Sequence, residues 1–108
     1  MTDARIILST AGSREEADRL ASALVEQRLA ACVNVVGPVA STYRWQDKVE
    51  RAEEFLLVIK TSAARFPEVA AAIKGLHSYE LPECIEFAVT AGSDAYLEWL
   101  TANVSAPK

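Results

Sequence analysis

The stretch VASTYRWQDKVERAEEFLLVIKTS, residues 39–62, decides the fold. From Val39 to Gln46 the side chains alternate, Tyr43 and Trp45 on one side and Thr42 and Arg44 on the other, which is the period of an extended strand. QDK, 46–48, is polar and turn-forming, and residues 49–62 then resume an extended run that becomes increasingly apolar. Long strands joined by so short a turn predict a long hairpin. Its tip is polar and aromatic while its base is apolar, so the tip is expected to project beyond the sheet.

Working outward, ARIILST (4–10) is a short β-branched apolar run and predicts a strand. SREE (13–16) follows as a capping box, with Ser13 at the cap and Glu16 reaching back to it. Ala17, Leu20, Ala21, Leu24, Val25 and Leu29 then recur at helical spacing, predicting an amphipathic helix of about 16 residues. ACVNVV (31–36) reads as a strand punctuated by Gly37-Pro38 before the hairpin resumes it. After the hairpin, residues 63–76 place Phe66, Val69, Ala70, Ile73 and Leu76 on one helical face, with Pro67 in the first turn and Gly75 at the stop. CIEFAVT (84–90) predicts a fourth strand, and residues 93–104, opening on Ser93 and Asp94, a third helix.

The order β-α-β-β-α-β plus a terminal helix predicts an α+β fold. Its expected form is a ferredoxin-like antiparallel sandwich with a C-terminal helix. A length of 108 residues, 51% hydrophobic and 24% charged, suits one globular domain, 1–108. A net charge of −4 disfavours nucleic acid as a partner, and no apolar run is long enough for a membrane span. No basic, cleavable leader pattern opens the chain, so a cytoplasmic protein is expected.

Periodicity also bears on assembly. IIL (6–8), FLLVI (55–59) and FAV (87–89) are continuous apolar runs, whereas a sheet with one wet face should alternate. Both faces therefore call for burial, and two helices cover only one. Another copy of the chain is the expected cover, with Tyr43 and Trp45 of the hairpin suited to a neighbour.

KGLHSYELPEC (74–84) holds the only histidine, His77, with Tyr79, Glu80, Glu83 and Cys84 close behind. Imidazole, thiolate and carboxylate are the donors a transition metal would use, and Cys32 is a further thiol. The alternative is a helix-to-strand loop whose accessible histidine hydrogen-bonds a neighbour. A second reading gathers Tyr43, Trp45, Lys48, Lys60, His77, Tyr79 and Glu83 into a cleft between subunits that takes a small anionic ligand. In the bland version of that reading, Tyr43 and Trp45 are interface anchors and Lys60 pairs with Glu50 or Glu83. A Cys–His nucleophile lacks any orienting third group, and no phosphate loop or nucleophile elbow is present, so the chain is not expected to be an enzyme.

LAACVN (29–34), STYRWQDKVE (41–50), LLVIKT (56–61), HSYELPE (77–83) and AYLEWL (95–100) together resemble the CutA divalent-cation tolerance family, in its order and across nearly the whole chain. The resemblance implies a ferredoxin-like homotrimer linked to tolerance of copper or another divalent cation, and carries over His77 as the imidazole donor; Cys32 and Glu83 are further candidate ligands read from the residues themselves. The chain departs from the family at Ser78, where proline is common, and at two proposed ligand positions. Ser9 stands where a cysteine ligand is proposed, and Leu76 where the first of two adjacent histidines is proposed.

Overall fold

The computed structural model describes residues 2–104. The elements run β1 (Ala4–Ala11), α1 (Arg14–Glu26), β2 (Cys32–Trp45), β3 (Lys48–Ser62), a 3-10 turn (Ala63–Arg65), α2 (Phe66–Leu76), β4 (Ile85–Ala88) and α3 (Asp94–Val104). The strands form one sheet in the order β2-β3-β1-β4, antiparallel at every pairing. This is the expected mixed α+β arrangement, with the long hairpin along one edge. None of the described helices is long and apolar enough to cross a membrane.

The hairpin turns on Gln46 and Asp47, both left-handed with φ 50° and 65°, so Trp45 pairs directly with Lys48. Two successive residues in that region are the signature of the tight turn whose twist matches its strands. Gly37-Pro38 does not end β2. The register steps from Val36↔Leu56 to Val39↔Glu54, three residues on β2 against two on β3. That single extra residue is a bulge, and it absorbs the proline, which has no N–H for the ladder.

Three sequence expectations shift. Helix α1 stops at Glu26, short of the length expected, because Arg28 turns left-handed at φ 59° and the amides of Leu29 and Ala30 fold back onto the Leu24 carbonyl. Gly75 lies inside α2, which continues to Leu76, so it does not mark the stop. β4 spans only Ile85–Ala88, paired with Leu8 to Arg5 of β1.

Register separates the two sheet faces. Ile7, Ala11, Leu57 and Ile59 face α1 and α2, where Ala17, Leu20, Leu24, Val69 and Ile73 complete a buried core. Burying each of these larger side chains contributes about 1.5–3 kcal/mol. On the opposite face, α3 covers only a corner, packing Leu100 and Val104 on Ala4. The rest of that face carries Ile6, Leu8, Leu56 and Val58, half-buried, beside Val36, Ile85 and Phe87, which are 47–50% exposed. The sheet therefore offers water a continuous apolar surface, as its uninterrupted apolar runs foretold.

Candidate functional site

The loop after α2 carries the lone histidine, and packing rather than a ligand explains its place. The His77 side chain is 0% exposed. Its Nε2 lies 2.6 Å from the Thr10 carbonyl, and its Nδ1 accepts the Tyr79 N–H at 3.0 Å. A carbonyl only accepts and an amide N–H only donates, so the proton sits on Nε2 and the Nδ1 lone pair is occupied. A metal would have to displace one of these bonds. The expectation of an accessible histidine, and of His77 as a free donor, gives way to a histidine that pins the loop to the end of β1.

Glu16 completes the pin from α1. It sits four residues before Leu20 on the apolar stripe and is 5% exposed. The Ser13 hydroxyl accepts the Glu16 N–H at 3.1 Å, as a cap should. The Glu16 carboxylate, however, reaches across to the loop, accepting the Ser78 N–H at 2.7 Å and the Ser78 hydroxyl at 3.1 Å. Burial alone would raise its pKa. The Ser78 bonds, the neighbouring imidazole when protonated, and the Gly12 amide together outweigh burial and hold the carboxyl below its ordinary value.

Beyond His77, Tyr79 packs its ring against the imidazole, 4.5 Å between centroids and tilted by 44°, and donates its hydroxyl to Glu54 at 2.8 Å. Burial, then the Glu54 carboxylate, pushes the phenol far above its ordinary value, so Tyr79 remains a donor at any physiological pH. Acids at 50, 53 and 54 give VERAEEF (49–55) the composition of a solvated strand, yet Glu54 is 7% exposed. The missed signal was parity. Glu54 lies on the same side of β3 as Leu56 and Val58, the side that carries the apolar face.

Thr10, Glu54 and Tyr79, with Ser41, Tyr43 and Trp45 of the hairpin and Glu80, Leu81 and Glu83 of the loop, enclose a cleft of about 640 Å³. The structure thus brings Tyr43, Trp45, Tyr79 and Glu83 to one cleft within a single chain, whereas the sequence reading set them at a cleft between subunits. It does not bring Cys32 or Lys60 to them. Those two pair with each other across β2 and β3, and the Lys60 ammonium lies 5.9 Å over the Tyr96 ring of α3 rather than against Glu50 or Glu83. The cleft's charged lining is acidic, with Lys48 and Lys60 both outside it, so its field opposes the small anionic ligand considered from sequence.

The donor set fits copper poorly. His77 is engaged, and Ser9, where a cysteine was the expected ligand, is fully buried with its hydroxyl unpartnered among the described residues. Cys84 is half-buried, and burial followed by the Glu83 and Glu86 charges raises its thiol above the ordinary value, away from the thiolate a metal needs. Among the described residues, no three His, Cys, Asp or Glu side chains are grouped to hold a metal ion.

Comparison with known proteins follows the same outline. A family profile described as CutA1 divalent ion tolerance protein matches residues 5–103. The Thermus thermophilus divalent-cation tolerance protein CutA is 44% identical over 98 residues, covering 91% of this chain and 95% of that protein. The chloroplastic protein CutA of Arabidopsis thaliana is 40% identical over 95 residues, covering 88% of this chain and 52% of the plant protein. Among solved structures, CutA from Xylella fastidiosa superposes with a TM-score of 0.94 at 38% identity, covering 96% of this chain and 100% of that one. A CutA from Archaeoglobus fulgidus, described as periplasmic, gives 0.92 at 38% identity, covering 94% and 99%. Element order, sheet and sequence agree along nearly the entire chain, and the protein belongs to the CutA1 divalent ion tolerance family.

Proposed function

We propose that this chain serves in divalent-cation tolerance by binding rather than by turnover, as a homotrimer of ferredoxin-like subunits in the cytosol. Family membership across residues 5–103 is the observation that carries the reading. The assembly is supported by the apolar outer face of the sheet and by Tyr43 and Trp45, each 44% exposed on the hairpin. A trimer closes such faces against one another without leaving an open edge. A cytosolic setting suits the two free thiols, Cys32 and Cys84.

Copper held by His77 is no part of this role. Both ring nitrogens are used within the chain. The test is growth of a bacterial host deleted for its own relative, on graded copper, zinc and cobalt. Wild type and the His77→Ala variant are each expressed to equal folded levels. Restored tolerance in both is expected. A folded wild-type chain that leaves tolerance to every metal unchanged overturns the reading.

A further inference from the structure

The hairpin leaves the sheet at one point. β1 ends at Ala11, which pairs with Phe55, so among the described strands residues 48–54 of β3 pair only with β2. A two-stranded ribbon has little stability of its own, and its direction is decided where it is rooted. The same root carries the β2 bulge, a feature that bends a strand and increases its twist.

Two side chains hold this root from opposite faces of the sheet. On the helix side, Phe55 packs against the edge of the core, and the Arg14 guanidinium lies 4.9 Å over its ring. The Arg14 Nη2 also lies 3.5 Å from the Gly37 carbonyl, so one side chain touches β3 at Phe55 and β2 at the bulge. On the outer side, the adjoining Glu54 accepts the Tyr79 hydroxyl at 2.8 Å. Tyr79 belongs to the loop that Glu16 fixes through Ser78. Arg14 and Glu16 both lie in the first turn of α1. That turn therefore reaches residues 54 and 55 from both sides, directly on one and through the loop on the other. The Arg14 contact is exposed and individually weak. It contributes little to the core, yet it sits where the ribbon takes its direction.

We propose that the first turn of α1 is a two-sided clamp on the hairpin root, and that it aims the projecting hairpin, with Tyr43 and Trp45, at a neighbouring copy. The clamp is a property of the single chain. Its consequence for assembly rests on the trimer proposed above.

Hydrogen exchange of the full chain in its native assembly, followed by mass spectrometry, tests the clamp. Wild type, Arg14→Ala, Tyr79→Phe and the double variant are compared. Peptides from 39–54 report the hairpin, and peptides from 56–60 report the sheet interior. Hairpin exchange should be about tenfold faster in the double variant and about threefold faster in each single one, with the interior changed by less than about twofold. Equal acceleration of both regions marks a general loss of stability and overturns the proposal. Unchanged hairpin exchange in the folded double variant does the same. Should that variant fail to fold, the same comparison in Arg14→Ala, an exposed substitution, decides. The aiming role is read separately, by light scattering on dilution. The double variant should dissociate at a chain concentration at least about tenfold higher than wild type. Unmoved dissociation in a variant whose hairpin has loosened overturns the aiming role. A wild type that is a single chain at every concentration removes the neighbour, and the aiming role with it, while the exchange comparison still judges the clamp.

Discussion

Glu16, Ser78, His77, Tyr79 and Glu54 form one chain of contacts from the start of α1, through the loop, to β3. The Glu16 carboxyl lies below its ordinary value of 4.5, so its charge stabilises the fold fully above that pH and progressively less as pH falls through the lower folded value. Glu16→Gln is therefore expected to cost about 1–3 kcal/mol at pH 7. The gap to wild type should close on acidification toward about pH 3. Urea unfolding at both pH values, at one chain concentration, checks this, and a gap that widens in acid contradicts it. Cys84 titrates above its ordinary value of 9.0 through burial and then Glu83 and Glu86. In a Cys32→Ser chain, iodoacetamide should modify Cys84 at pH 8 at least about fivefold more slowly than a free thiol peptide. Unfolding, or a double Glu83→Gln, Glu86→Gln change, should speed the reaction. At this scale the sequence was partly legible. His77 and Tyr79 stood out as rare residue types, and they are indeed central to the loop. Their roles were not legible, because a ligand and a hydrogen-bonded strut use the same imidazole. What decided between them was the Thr10 carbonyl, 67 positions away in sequence.

At the scale of elements, the hairpin was plain from alternation alone, and Ser13 and Ser93 were readable as caps, each accepting the amide three residues on. The ends of elements were harder. Gly37-Pro38 carries the chemistry of a break, yet β2 runs through it, because pairing with β3 on both sides outweighs one lost ladder bond. The glycine is required there by close approach. A Cβ on residue 37 would meet the Phe55 ring at 2.6 Å and β3 backbone atoms at 3.1 and 3.2 Å. Phe55 has little room to yield, since the Arg14 guanidinium lies 4.9 Å over its ring. Gly37→Ala should therefore destabilise the fold by about 1–3 kcal/mol through overpacking. A lowered urea midpoint with an unchanged slope is the expected sign, and a neutral or stabilised variant would show that the bulge is looser than its contacts imply.

At the scale of the whole molecule, α1 and α2 bury one sheet face, and α3 reaches only a corner of the other. The uncovered strip, with Val36, Ile85 and Phe87 at 47–50% exposure, adjoins the acidic aromatic cleft along β3, where Leu56 and Glu54 share a side. This was the most legible feature of the sequence, because an apolar run without alternation leaves no polar residue for a wet face. The partner that meets the strip was legible only as a likeness to a family. The proposed trimer joins both observations, since it buries the strip and sets each hairpin against a neighbour. The most direct measurement is the mass in solution by light scattering coupled to gel filtration, at micromolar chain concentration. The proposed assembly gives a mass of about three 11.7 kDa chains for wild type, and a smaller species when Phe87→Asp places a charge in the strip. A wild-type mass of one chain, 11.7 kDa, contradicts it.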